Sequence, residues 1–444
     1  MIRWLYPGMR VKRWFALSLF GIFLVGCGLA FIIGSSTLSR LTYWVYCIAE
    51  KLTMPFLMVA GIFLIVAGFF LAYLGLHRLI NSLFSAVKPQ SNGGLTAAVF
   101  SQRVLEKGPK IVVLGGGSGL STILRGLKEY TSNITAIVTM ADDGGSSGRL
   151  RTDMGILPPG DIRNCLVALA DCEPITQSLF QYRFKECGEL VGHSFGNLFI
   201  AALTKIAGDF ETALYYASKV LAVRGRVLPA TLTQCTLVAD DGNGHLIEGE
   251  SEIPLHEGRI AKVALQPEVC RPHPDTLKAI AAADIIILGP GSLYTSVIPS
   301  LLVDEIPAAI RRTKALKLYL CNIMSQPGET DNYTAGEHLK AITKHVGDNL
   351  VDYVIVNNKP ISEKTATLYE NKASSQVKID LLELKKQNVT VIEAPLLDEN
   401  DVIRHDSQET ARLIMELLLR YNGKQTNPIL RFVPIKGWQR HDFS

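Results

Sequence analysis

At 444 residues the chain is long enough for one large domain and an appendage. Its formal charge of +4 is unevenly placed: residues 1–103 carry nine Lys or Arg and one acid, Glu50, which leaves 45−9=36 basic and 41−1=40 acidic residues for the remainder. A remainder at about −4 argues against nucleic-acid binding. Eight cysteines without a CxxC pair argue against a zinc site or a disulfide frame and suit a reducing compartment.

Two apolar runs come first in the chain, residues 14–33 and 55–76. Each is uncharged and long enough to cross a hydrocarbon core. Between them Arg40, Glu50 and Lys51 mark a polar link, with Tyr43, Trp44 and Tyr46 as headgroup-level anchors. Arg3, Arg10, Lys12 and Arg13 precede the first run, and Arg78, Lys88 and Arg103 follow the second. Basic residues at both outer ends place both ends in the cytoplasm. The competing reading of the first run is a cleaved signal peptide; the second run and the lack of a small-residue cleavage site weigh against it. Residues 1–84 therefore read as a two-helix transmembrane hairpin in the inner or plasma membrane. Residues 85–107, with Ser85, Pro89, Ser91, Asn92, Gly93 and Gly94, read as a linker. Residues 108–444 read as a cytoplasmic α/β domain.

Within that domain, short apolar strands at 111–115, 134–140, 284–289, 316–321, 352–357 and 390–394 alternate with helical periods. Alternation of this kind predicts an α/β fold with a mostly parallel sheet and helices on both faces. Asp240-Asp241-Gly242-Asn243-Gly244, flanked by β-rich residues, signals a hairpin. The last helix is expected to start near Asp406-Ser407 and run towards Arg420.

The most informative stretch is 110–149. The strand Ile111-Val112-Val113-Leu114 leads into Gly115-Gly116-Gly117-Ser118-Gly119 and a helix. Bare backbone at a helix start makes an anion site, because unpaired N–H groups converge there with the positive helix end. The second strand runs into Ala141-Asp142-Asp143-Gly144-Gly145-Ser146-Ser147-Gly148-Arg149, which places two carboxylates at its tip. These suit a divalent metal, Mg²⁺ in a phosphate site, or a ribose hydroxyl. Leu120 stands where a dinucleotide fingerprint has its third glycine, which argues against an NAD-dependent dehydrogenase.

Further polar, glycine-rich segments fall at strand ends, where open α/β sheets bind ligands. They are Pro158-Pro159-Gly160-Asp161-Ile162-Arg163-Asn164, Gly192-His193-Ser194-Phe195-Gly196-Asn197, Gly289-Pro290-Gly291-Ser292-Leu293-Tyr294-Thr295-Ser296, and the run 322–330. Together they predict one shared binding cleft.

With the glycine turn 115–119, the segments 141–151, 158–166, 192–203, 228–232, 288–296 and 321–330 resemble the gluconeogenesis factor family. The resemblance covers about 105–420 in one order. That family binds uridine-diphosphate sugars and is related to the 2-phospho-L-lactate transferases of deazaflavin cofactor synthesis. The resemblance implies a Rossmann-like fold, a UDP-sugar ligand, and a role in cell shape and envelope synthesis during gluconeogenic growth. Members of the family are typically cytoplasmic, and this sequence departs from them by its hydrophobic hairpin.

Gly115, Gly116, Gly117, Ser118 and Gly119 are expected to hold phosphate through backbone N–H groups. Asp142 and Asp143 are candidates for metal or ribose contact, or for capping the following turn. Ser146 and Ser147 offer hydroxyls to a diphosphate or form a surface loop. Arg149 or Arg163 is suited to neutralise phosphate, or to pair with Asp161. His193 is a candidate general base or a structural histidine, and the catalytic candidates are Asp142, Asp143 and His193. Asn164, Ser194, Gly196 and Asn197 are further contacts, with Asn197 either meeting a ligand or capping a helix. Gly289, Gly291, Ser292 and Thr295 look like a second cradle, with Tyr294 stacking on the ligand or filling the core. Asn322 and Glu329 complete the ring. Two functions remain open: a nucleotide-sugar-binding regulator tethered to the membrane, or a Mg²⁺-dependent transferase of a phosphate-linked group. A homo-oligomer is the expected assembly.

Overall fold

A computed structural model describes residues 11–33, 54–85, 105–172, 174–186, 188–256, 258–400, 402–422 and 439–441. The chain divides into two units, residues 1–102 and 103–444. The polar link with Arg40, Tyr43, Trp44, Tyr46, Glu50 and Lys51 lies outside the described residues, as do Arg3, Arg10, Lys88, Arg103 and most of the linker 85–107.

In the first unit, helices Val11–Ile33 and Met54–Ser85 pair antiparallel. Glycine makes the close approach possible. A Cβ on Gly21 would sit 2.5 Å from the Ala72 nitrogen, and one on Gly28 would sit 2.7 Å from the Gly61 carbonyl oxygen. The outer faces expose Phe20, Phe23, Phe63, Phe69, Phe70 and Tyr73. Only Val59–Arg78 among the described residues is long and apolar enough to cross a membrane; the described apolar stretch of the first helix, Ala16–Leu29, is shorter than a span. The expected pair of spans is thus reduced to one by length and composition.

In the second unit the strands are β1 (Ile111–Gly115), β2 (Ile134–Val138), β3 (Arg226–Pro229), β4 (Thr236–Asp240), β5 (Leu246–Glu248), β6 (Lys262–Gln266), β7 (Ile285–Leu288), β8 (Leu316–Leu320), β9 (Tyr353–Asn357), β10 (Thr390–Ala394), β11 (Leu397–Asp398), β12 (Arg404–His405) and β13 (Gln439–His441). Eight of them form one sheet in the order β13-β10-β9-β8-β7-β1-β2-β3. All pairs are parallel except β10 with β13. β1, β2 and β7 are buried along their whole length, as Val- and Ile-rich strands covered on both faces must be. Successive β1 side chains feed opposite cores. Ile111 and Val113 join Leu120, Ile123, Leu124, Ala411 and Ile414 on one face, while Val112 and Leu114 join Ile280, Ile310 and Leu339 on the other.

The sequence reading located β1, β2, β7, β8, β9 and β10. It did not locate β3, a four-residue edge strand ending in Pro229, where the missing N–H costs little because no neighbour pairs there. The expected hairpin is present as β4 and β5, extended by β6 into a small antiparallel sheet. The last helix, Ser407–Asn422, starts at its expected cap: Asp406 Oδ1 accepts from the backbone N–H groups of Gln408 and Glu409 at 2.9 and 3.0 Å.

Candidate functional site

The chain runs outward from β1 through β2 to β3, and from β7 through β8 and β9 to β10. The order therefore reverses between β1 and β7, which lie side by side. Their C-terminal tips open the crevice where an open α/β sheet takes a ligand. Both tips carry glycine loops, and the loops touch through their backbones. A Cβ on Gly119 would lie 2.8 Å from the Pro290 carbonyl oxygen, and one on Gly291 would lie 3.1 Å from that of Gly116. Gly115, Gly117 and Gly289 adopt φ of 152°, 66° and 73°, a backbone region that side chains disfavour.

Helix Gly117–Leu127 starts at Gly116 with no side-chain cap, so its first N–H groups face the crevice. One is committed, since Gly117 N–H is hydrogen-bonded to Asp161. The crevice, about 230 Å³, is lined on another side by the segment from Val402 to His405, including Arg404. Ser292 Oγ accepts from Gln326 Nε2 at 2.7 Å, and Gly291 N–H donates to Asn322 Oδ1 at 3.3 Å. Ile403 N–H donates to Tyr369 Oη at 3.0 Å and fixes that segment. Two polar atoms are buried without a partner here, Gln326 Oε1 and His405 Nε2. Burial pulls the His405 imidazole down to about 4, so its ring is neutral at physiological pH.

Beyond Gly116 and Asp161 lies a second cleft of about 260 Å³, lined by Asp142, Ser146, Ser147, Asp161, Arg163, Asn164, Arg183 and Asn197 among others. Ser146 Oγ lies 3.0 Å from His193 Nδ1 and accepts from Asn197 Nδ2 at 3.1 Å. The imidazole therefore has the orienting partner that sequence proximity could not supply. Burial, with Arg149 nearby, lowers the His193 pKa. Arg163 donates to Ser194 Oγ and, at 2.9 Å, to Asn164 Oδ1; no ion pair to Asp161 forms.

The expected twin carboxylates part company. Asp142 lines the second cleft, with Oδ1 accepting from Gly144 N–H at 3.0 Å. Asp143 turns away to accept from the N–H groups of Glu250 and Ser251 at 3.0 and 2.9 Å, tethering the small sheet. No group of three or more His, Cys, Asp or Glu able to hold a metal occurs among the described residues.

Other expected contacts serve the fold. Exposed Arg149 donates to the Val191 carbonyl at 2.7 Å and does not line either cleft. Ser194 caps helix Phe195–Ala207, accepting from Asn197 N–H, and Gly196 lets that helix approach Arg163. Thr295 Oγ1 donates to Glu329 Oε1 at 3.2 Å, and Tyr294 is a core residue whose hydroxyl meets Tyr333 Oη at 3.0 Å. Sequence reasoning missed Arg183, Arg404, His405, Tyr369 and Glu250. None belongs to a glycine-rich motif; Arg404, His405, Tyr369 and Glu250 come from elements distant in sequence, and Arg183 from the segment just before Gly192.

Buried acids repel one another around Asp142 and Asp161. Burial pushes Glu250 up to about 8, with Asp142 and Asp161 adding repulsion. Burial also raises Glu329 to about 7 and Asp161 to about 6. A carboxyl that holds its proton more tightly when folded costs stability as pH rises through that interval, because the native state then binds more protons than the unfolded chain. Stability is therefore expected to fall between pH 4.5, the ordinary Glu value, and about 8. Glu250→Gln should shrink the difference between thermal melts recorded at the two ends of that range. An unchanged difference would contradict the assignment.

The geometry defines an α/β protein with a polar cleft at the topological switch point of a parallel sheet. The model of the 2-phospho-L-lactate transferase CofD family matches residues 111–397. A "Gluconeogenesis factor" of Bacillus subtilis is 50% identical over 311 residues, covering 70% of this chain and 98% of its own. A relative from Clostridium acetobutylicum is 48% identical over 423 residues, covering 94% of this chain and 92% of its own. A crystal structure of a Bacillus halodurans protein superposes with TM-score 0.67 at 48% identity, covering 69% of this chain and 99% of that one. The chain belongs to the gluconeogenesis factor family, with a CofD-like domain. The Clostridium alignment is longer than the 444−102=342 residues of the second unit, so it includes part of residues 1–102.

Proposed function

We propose that the α/β domain binds a UDP-sugar and acts as a membrane-attached regulator of cell shape and envelope synthesis during gluconeogenic growth. The observation that carries this reading is the contact of two bare glycine loops, 115–119 and 289–292, at the switch point. The diphosphate lies against the uncapped start of helix Gly117–Leu127 and Ser292, and the nucleoside end lies under Arg404 and Ile403. Asp142 and Asp161 suit Mg²⁺, which needs only one or two carboxylates beside ligand phosphates; a cation there would relieve the repulsion among the acids.

Titrating UDP-glucose into the full-length chain tests the reading. Saturable binding is expected, weakened about tenfold in Arg404→Ala by loss of a charge-assisted contact. Absence of binding would refute it. The CofD match favours a second reading, transfer of a phosphate-linked group between the nucleotide and an acceptor. Ligand recovered intact after hours with Mg²⁺ supports the regulator, and cleavage of its diphosphate linkage supports the transferase.

The long apolar helix Val59–Arg78 holds the chain at the bilayer, with the exposed Phe63, Phe69 and Phe70 meeting lipid. On fractionation the full-length chain should pellet with membranes and be released only by detergent. A chain left in the supernatant after ultracentrifugation would remove the tether.

A further inference from the structure

We infer that the cleft beneath Arg163 and Arg183 is a second ligand site, separate from the nucleotide crevice and built for a small phosphate monoester that carries a hydroxyl. The inference rests on the reading that the nucleotide lies along Gly117, Ser118 and Gly119.

Two helices of ten residues each, Gly145–Met154 and Gly160–Leu169, begin on this cleft, and neither start is capped by a side chain. Their free N–H groups and positive ends favour an anion. Arg163 and Arg183 add two guanidinium groups, and neither forms an ion pair among the described residues. Arg183 instead donates to the Gly192 carbonyl.

Two of the lining residues are poised for a partner that the protein does not provide. Arg163 is 9% exposed and its Nε donor is buried without an acceptor. Asn197 is 2% exposed and its Oδ1 acceptor is buried without a donor. An orphaned guanidinium donor asks for phosphate oxygen, and an orphaned acceptor asks for a hydroxyl. The acids on the shared wall are already engaged, Asp142 by Gly144 N–H and Asp161 by Gly117 N–H, which tempers their repulsion of an anion. That wall also divides the clefts: Asp161 Oδ2 lies 2.3 Å from where a Gly116 Cβ would stand.

The test is calorimetric titration of glycerol 3-phosphate into the full-length chain, alone and with saturating UDP-glucose. Saturable binding is expected to persist beside UDP-glucose and to weaken about tenfold in Arg183→Ala, whose UDP-glucose affinity stays unchanged. No saturable binding, equal affinity in the variant, or displacement by UDP-glucose would overturn the second site. If UDP-glucose itself does not bind while glycerol 3-phosphate does so through Arg183, the nucleotide reading falls and the second site stands.

Discussion

Gly119→Val is expected to abolish measurable UDP-sugar binding. The valine Cβ would come to 2.8 Å from the Pro290 carbonyl oxygen and 3.2 Å from Gly291 N, both rigid backbone atoms. The two loops must separate, and the phosphate then loses contact with one of them. Losing two charge-assisted hydrogen bonds costs about 3 kcal/mol or more, a drop of at least about a hundredfold in affinity. Calorimetric titration reads this directly, and a melting curve shows the accompanying strain. An affinity within threefold of the parent chain would mean that the phosphates lie elsewhere.

Gly126→Ala is the substitution with the largest expected effect on stability. Alanine is the better helix former by about 1 kcal/mol, so propensity alone predicts a gain. Packing opposes it. The added Cβ would lie 1.9 Å from the Ser407 carbonyl oxygen and 2.9 Å from the Ala411 Cβ, where the last helix starts. Helix Ser407–Asn422 must move off Gly117–Leu127, loosening Leu124 and Leu127 against Ala411 and Ile414. Overpacking of this kind costs about 3 kcal/mol or more and exceeds the propensity gain. A net loss of about 2 kcal/mol lowers the melting temperature by several degrees. A variant that melts higher than the parent would contradict this packing.

The strands that were legible in the sequence share a physical property: burial on both faces makes them short runs of Ile, Val and Leu bounded by glycine, as in Ile285–Leu288. The glycine loops were legible for the same reason, because close backbone approach excludes every other residue. Side-chain roles were less legible. Asp142 and Asp143 look equivalent in sequence, yet one faces the cleft and the other anchors Glu250 and Ser251, a contact 107 and 108 residues away. Arg404 follows no motif and reaches the site only through tertiary packing, and Arg183 is placed by a bridge to Ser194 that no motif announces. The single cleft expected from the loops is two clefts, because the Asp161 carboxylate beside Gly116 stands between them. The first apolar run is helical as expected, but its described apolar part is shorter than a span.

A crystal structure of the chain bound to UDP-glucose tests the central claim most directly. The diphosphate is expected within hydrogen-bonding reach of the Gly119 N–H and Ser292, with the nucleoside under Arg404. A diphosphate seated away from the β1 and β7 tips, for instance along the β3 edge, would contradict it.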